Sequence, residues 1–133
     1  MKEICTNCPR HCLCDRENKN GFCKAGNTCE IAKIMLHHWE EPIISGTENM
    51  AGSGAIFFNH CNLKCVYCQN YEISHQESGK EYSPTQLAQV FKDLESQNAL
   101  NINLVTPTHY SAQIIQALKI YKPKIPVVWN CGG

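Results

Sequence analysis

The sequence lacks an excess of charge of either sign, and it lacks a hydrophobic run long enough to cross a bilayer. Its 12 Lys and Arg residues balance its 12 Asp and Glu residues, so the net charge is zero. A neutral chain offers no general attraction for nucleic acid or an anionic membrane surface. A transmembrane helix needs about 20 consecutive apolar residues. We therefore expect neither a nucleic-acid nor a membrane partner.

A secretory signal is also missing, because residues 1–5 do not begin like one. The 133 residues nevertheless include 10 cysteines. An even number of cysteines forms a disulfide framework only in an oxidising compartment. We therefore expect a cytoplasmic protein of at most one domain, whose cysteines bind metal rather than one another.

Three of these cysteines, Cys61, Cys65 and Cys68, stand close together, separated by three and then two residues. Thiolates are soft ligands that suit zinc and iron–sulfur clusters. A structural zinc site and an all-cysteine cluster each use four ligands. Three thiolates on one loop predict a [4Fe–4S] cube with one open iron. The alternative is half of a zinc site that a distant Cys or His completes.

Three short apolar runs predict strands, at residues 54–58, 101–105 and 127–129. Two helices are predicted between them. The first begins at a capping box formed by Ser83 and Gln86 and ends near Asn98, and the second covers residues 111–121. Strands that alternate with amphipathic helices predict an α/β fold with a parallel sheet and right-handed crossovers.

The carboxyl ends of these strands lead into residues 61–68, 106–109 and 130–133. Ligands bind at this edge in parallel α/β folds. The hydroxyls of Thr106 and Thr108 and the amide of Asn130 are therefore candidate ligand-binding groups, although turn formation alone would also explain the two threonines. Cys131 is expected to be buried and not a ligand.

The Cys-x3-Cys-x-aromatic-Cys pattern, with Tyr67 in the aromatic position, resembles the signature of the radical S-adenosylmethionine (SAM) superfamily. Residues 69–74 and the Thr-Pro-Thr-His-Tyr run at 106–110 are similar to a narrower group, the proteins like pyruvate formate-lyase activating enzyme. Many superfamily members carry Gly-Gly-Glu where this chain has residues 106–108, so the second run departs from the superfamily and resembles the subgroup.

This resemblance implies a [4Fe–4S] cluster on Cys61, Cys65 and Cys68 whose open iron binds SAM. It implies SAM contacts from the side chains that follow the strands and the cluster motif: Tyr67, Asn70, Thr106, Thr108 and Asn130. A flavodoxin- or ferredoxin-type donor would supply the electron, and the resulting 5′-deoxyadenosyl radical would act on a glycine of a partner glycyl radical enzyme. A small-molecule substrate stays open, and no residue is assigned a catalytic role.

The resemblance also implies a partial (β/α) barrel, whose core in the family has six strands. Only three strands are predicted here, so residues 51–133 are expected to form the first half of that core and to leave one sheet edge unpaired. Turnover by this chain alone is therefore in doubt. The alternatives are a non-catalytic iron–sulfur or zinc module, or an inactive fragment.

Residues 1–50 are predicted to form a cysteine-rich head and a linker. The head has few apolar residues, so a bound metal would have to supply folding free energy. A zinc ion or a second iron–sulfur centre is expected on four of its cysteines, Cys5, Cys8, Cys12 and Cys23. Cys14 and Cys29 are extra to this set, and a flexible head with free thiols is the alternative.

Two segments are ambiguous or irregular. Residues 31–36 fit a helix or a strand, and of the adjacent His37 and His38 one is expected to be packed and the other solvated, with neither a ligand. Residues 69–82 are polar and predict an irregular active-site loop.

Overall fold

A five-stranded mixed sheet forms the centre of the molecule, and the computed structural model describes residues 4–75 and 79–132. The strands run along the sheet in the order β3-β1-β2-β4-β5. In chain order they are β1 (Cys29–His37), β2 (Ser53–Phe58), β3 (Lys80–Tyr82), β4 (Ile102–Val105) and β5 (Val127–Asn130).

The three predicted strands are confirmed as β2, β4 and β5, which lie parallel to one another. Ile56 pairs with Leu104, and Leu104 pairs with Trp129. The apolar run of β2 is almost wholly buried, as its sequence predicts. β5 lies at the edge of the sheet, where Val127 and Trp129 stay exposed.

Two strands that were not predicted extend this parallel part into a mixed sheet, since β1 and β3 run antiparallel to their neighbours. β1 pairs with the free side of β2, with Ile34 opposite Ile56. Residues 31–36, which could have formed a helix or a strand, therefore form part of a strand, β1. β3 lies in the segment predicted to be irregular and pairs with residues 29–31 of β1. The boundary at residue 50 stays a prediction, although β1, which precedes it, belongs to the sheet.

The described residues form four α-helices beside the sheet: α1 (Pro42–Ser45), α2 (Tyr71–His75), α3 (Pro84–Ser96) and α4 (Ser111–Ile120). The two long ones are those that the sequence predicts. The capping box of Ser83 and Gln86 is present in full at the start of α3. Two residues after the end of α3, Asn98 adopts a left-handed conformation with φ of 63°, which is common where a helix ends.

One continuous apolar core joins the sheet, the long helices and part of the head. α3 and α4 pack on the sheet face that carries Ile56 and Leu104, both fully buried. Cys23 and Cys29 belong to this core as well. The head is therefore packed against the sheet, and its apolar contribution comes mainly from residues next to β1.

Some predicted features lie outside the described residues. These are residues 1–3 of the head, 76–78 of the predicted loop, and Gly133 at the end of the third predicted strand. Within residues 4–75 and 79–132, no helix combines the length and the hydrophobicity that crossing a membrane requires.

Candidate metal centre

The three-cysteine loop begins directly after β2, at the carboxyl edge of the parallel strands. His60 precedes the first cysteine and has a φ of 66°, and Lys64 within the loop has a φ of 54°. Residues other than glycine rarely adopt this left-handed backbone conformation. The loop folds back on itself, since the Leu63 N–H donates to Cys61 Sγ at 3.3 Å and the Cys68 N–H donates to the Cys65 carbonyl at 3.2 Å.

All three thiols of the loop are partly exposed to solvent. Ser74 donates to Cys68 Sγ at 3.6 Å. In the parts of the chain that the structure describes, no three Cys, His, Asp or Glu side chains converge on one ion position. A cubane cluster bonds each cysteine through a different iron, so its ligands need not meet at one point. Three soft donors on one short loop suit such a cluster.

A cavity of about 870 Å³ opens beside this loop. Cys65 and Cys68 line it, together with residues from four other parts of the chain. Four of the predicted SAM-binding residues are in its wall: Tyr67, Asn70, Thr106 and Asn130. The structure thus brings the predicted strand ends together with two of the three thiols.

Thr108 is the predicted binding residue that does not line this cavity. It starts a short 3₁₀ turn, Thr108–Tyr110, that leads into α4. Its role in binding SAM stays a prediction. Cys131 was expected to be buried, and this is wrong: its thiol is exposed and lines the cavity, because it follows the edge strand β5.

Sequence reasoning missed the contribution of β1 and the segment after it to the cavity wall. His37, Trp39 and Glu40 line the cavity, with His37 Nδ1 3.9 Å from Glu40 Oε1. The His37 ring also stands edge-on to Phe57 of β2. His38 is exposed, in agreement with one packed and one solvated histidine. Only the pairing of β1 with β2 reveals this wall, and no local signal encodes that pairing.

Behind the loop lies a largely buried hydrogen-bond network. His60 Nε2 and Glu30 Oε2 are 2.8 Å apart, and Lys19 Nζ donates to Glu30 Oε1 at 2.8 Å. Burial by itself would raise the pKa of Glu30, but the hydrogen bonds with Lys19 and His60 outweigh it and hold that pKa below its usual value. This network joins the head, β1 and the residue before Cys61.

His109 is a second buried polar link. Its Nε2 donates to the Asn59 carbonyl at 2.7 Å, and its own carbonyl accepts from Arg16 Nη1 at 2.7 Å. Burial lowers the pKa of His109 to about 4, so the ring is neutral near pH 7. His109 therefore joins the head to the start of the cluster loop and supports the structure around the cavity.

In the head, the structure places Cys14 beside the predicted ligand Cys12, with the two sulfurs 3.6 Å apart. The Cys5 N–H donates to the Cys14 carbonyl at 3.0 Å. Burial, and then the neighbouring Cys12, Cys5 and Cys23 thiols, raise the pKa of Cys14 to about 11. Cys14 thus belongs to the group of head thiols from which the sequence reasoning left it out.

Cys29 is more deeply buried than Cys23, the other head cysteine in the core. It lies in β1, is only 1% exposed, and has a pKa raised to about 12, chiefly by burial. Such a thiol is a core side chain and not an available ligand.

Comparison with known proteins identifies the family of this chain. A family model described as a 4Fe–4S single cluster domain matches residues 45–129, more than half of the chain, and the match includes the three-cysteine loop. An uncharacterized protein of Methanocaldococcus jannaschii is 33% identical, over 95% of this chain and 38% of its own length. The chain thus spans well under half of that relative. No solved structure matches. The match to the family model shows that the chain is an iron–sulfur protein of the 4Fe–4S single cluster domain family.

Proposed function

We propose that this chain carries the first half of a radical SAM partial barrel, and that Cys61, Cys65 and Cys68 hold a [4Fe–4S] cluster whose fourth iron binds SAM. The observation that carries this proposal is the cavity that unites the thiols of Cys65 and Cys68 with Thr106 and Asn130. Its volume of about 870 Å³ falls in the usual range for small-molecule sites, about 300–1,000 Å³.

The residues around the cavity suit a polar, zwitterionic ligand. Thr106 and Asn130 offer hydroxyl, amide and backbone groups for the methionyl end or the ribose of SAM. The exposed Tyr67 ring offers an aromatic surface for an apolar part of the ligand. Asn70 adds a further donor and acceptor to the wall that Cys68 also lines, and Thr108 belongs to the proposed set without lining the cavity.

When bound and reduced, the cluster would supply one electron to the sulfonium of SAM, which splits into methionine and a 5′-deoxyadenosyl radical. The chain's own residues bind and orient SAM and limit the access of water. The electron would come from a flavodoxin- or ferredoxin-type donor in the cytoplasm. The radical would abstract hydrogen from a glycine of a partner glycyl radical enzyme.

A second metal site in the head is favoured by one specific observation. The 3.6 Å separation of Cys12 Sγ and Cys14 Sγ is close to the edge of a tetrahedron with metal–sulfur bonds of about 2.3 Å, which is about 3.8 Å. Gly21 leaves room for this pair, since a Cβ there would stand 2.6 Å from Cys14 Sγ. We propose that zinc, or a second iron–sulfur centre, draws together four thiolates from the head set of Cys5, Cys8, Cys12, Cys14 and Cys23 when it binds, since among the described residues no three of these side chains already converge on one ion position.

Anaerobic reconstitution with iron and sulfide tests the main proposal. We expect about four cluster irons per chain, a change in the electron paramagnetic resonance spectrum at high SAM concentration, and a small amount of 5′-deoxyadenosine under reduction, since the chain carries only half of the proposed barrel. A cluster whose spectrum does not change when SAM is added would indicate a non-catalytic iron–sulfur module. Tightly bound zinc alone would indicate a zinc module. Either of these two outcomes would contradict radical SAM chemistry.

A further inference from the structure

The head touches the cluster loop directly, through Arg10 and Phe22. The Arg10 Nε–H donates to the carbonyl of Asn62, one residue after the first cysteine of the loop. The same guanidinium lies over the Phe22 ring, with its carbon 3.5 Å from the ring centroid. Lys64 Nζ lies 5.3 Å from that centroid. Two cations and one ring therefore join residues 10 and 22 of the head to residues 62 and 64 of the loop.

The cluster loop needs support of this kind. Lys64 has a φ of 54°, a left-handed conformation that is strained for a residue with a Cβ. Strained residues of this sort persist when their surroundings fix them. The tip of the loop contributes little burial, because Val66 is 92% and Tyr67 86% exposed. Contacts from outside the loop therefore add to its two internal hydrogen bonds in holding the backbone in place.

The positive charges next to the loop would also favour a bound cluster. A cluster held by thiolates is rich in negative charge, and nearby cations and hydrogen bonds help to set its reduction potential. Arg10 donates to a carbonyl between Cys61 and Cys65, and Lys64 immediately precedes Cys65. Phe22 lies within cation–π range of both and allows the two like charges to share one face of the loop.

We propose that Arg10 and Phe22 are positioning residues for the iron–sulfur cluster, and that the head acts as a brace that holds the loop in its ligand-bearing conformation. Arg10 stands between Cys8 and Cys12, and Phe22 is next to Cys23. The head thiols therefore flank both bracing residues. This inference rests on the assignment of Cys61, Cys65 and Cys68 as cluster ligands under the proposed function.

The test compares cluster loss and reduction potential in reconstituted full-length chains. In Arg10→Ala, iron should be lost to a chelator roughly tenfold faster, the factor expected from losing one charge-assisted hydrogen bond. Its reduction potential should fall because a cation is lost. Phe22→Leu should lose iron about threefold faster, whereas Phe22→Tyr, which keeps the ring, should behave like the wild type.

Two further variants separate positioning from folding and from charge alone. Arg10→Lys keeps the cation without the guanidinium, so it should restore the potential but not the slow loss of iron. Lys119→Ala removes an exposed cation from α4 and should change neither quantity. If Arg10→Ala does not fold, Arg10→Lys takes its place in the test. Faster loss of iron than in the wild type would then support the proposal, and an equal rate of iron loss would overturn it.

Equal rates of iron loss in Arg10→Ala, Phe22→Leu and Lys119→Ala would overturn the proposal, as would an unchanged potential in Arg10→Ala. Cys61→Ala in the same experiment distinguishes this failure from failure of the proposed function. If Cys61→Ala loses the cluster while Arg10→Ala and Phe22→Leu match the wild type, the assignment of Cys61 as a ligand holds and the positioning role of Arg10 and Phe22 is wrong. If Cys61→Ala keeps the cluster, the ligand assignment itself fails.

Discussion

The Thr106 N–H donates to the Asn130 carbonyl at 2.9 Å, which ties the end of β4 to the end of β5. Thr106 adopts a left-handed conformation there, with φ of 56°. The two residues face the same cavity as Cys65 and Cys68. One hydrogen bond thus fixes two of the proposed SAM-binding residues relative to each other, and the cluster loop completes the wall.

Single replacement of Cys61, Cys65 or Cys68 by Ala should abolish the [4Fe–4S] spectrum, because each removes one of three protein ligands. Iron content and optical absorbance after anaerobic reconstitution measure this. Cys131→Ala is the matched control, since its thiol lines the same cavity but is not assigned to the cluster. A normal spectrum in any of the first three variants would show that the residue replaced is not a ligand.

Gly21→Ala should lower the metal content of the head, because the new Cβ would stand 2.6 Å from Cys14 Sγ and 3.4 Å from Cys12 Sγ. Overpacking of this kind costs about 1–3 kcal/mol of stability. Gly26→Ala is the control, since its Cβ would meet only the flexible Lys19 side chain at 3.3 Å and a carbonyl at 3.9 Å. Metal analysis and thermal unfolding are the measurements. Equal metal content in the two variants would contradict the head site.

Stability should fall as the pH drops from about 6.5 to about 4, because of His109. Its pKa is lowered to about 4 in the folded chain, from the usual value near 6.5. Between these values the unfolded state binds more protons, so acid favours unfolding, by up to about 3 kcal/mol. The contribution is fully present above pH 6.5. Glu30, whose pKa is also lowered, loses its contribution as the pH falls below the ordinary pKa of a glutamate.

His109→Gln tests this pH dependence, because glutamine can donate a hydrogen bond but does not titrate. The difference in melting temperature between the variant and the wild type should shrink as the pH falls from 6.5 to 4. Acid also weakens thiolate ligands, but that effect is common to both proteins and cancels in the difference. A difference that is constant over this range would rule out the assignment to His109.

The chain of residues 1–133 should self-associate and produce little 5′-deoxyadenosine. β5 has one neighbour in the described sheet, and Val127 and Trp129 are 39% and 41% exposed. An apolar edge strand invites pairing with another chain. Trp129→Lys should reduce the apparent mass in light scattering, and Ile115→Lys on α4, which is also exposed, should not. A monomer that cleaves SAM rapidly would contradict this prediction.

The parts of the fold that sequence predicts are those with a strong local signal. The capping box at Ser83 and the apolar stripe of α3 depend on residues a few positions apart, and so do the apolar runs of β2 and β4. The tripeptide Lys80–Tyr82 is mostly polar and forms a strand only because β1 lies beside it. Propensity holds no information on such a long-range partner.

The site shows the same division. The spacing of Cys61, Cys65 and Cys68 indicates the cluster. Thr106 and Asn130 were predicted to lie near it because ligands bind at the carboxyl ends of parallel strands. Trp39 and Glu40 follow a strand whose identity was ambiguous, so their place in the cavity wall could not be predicted. Cys14 was named as extra to the predicted ligand set, because its distance from Cys12 depends on the path of the head and not on a known spacing.

The antiparallel pairing of β1 with β2 has a consequence for the order of events during synthesis. Ile34 and Ile56 are near each other along the chain, whereas Ile56 and Leu104 are much further apart. Contacts of short sequence separation form early, since closing a short loop costs less entropy. The two strands, and the cysteine loop that follows them, should therefore be in place while β4 and β5 are still being translated. Iron and sulfide could then be delivered to a nascent chain.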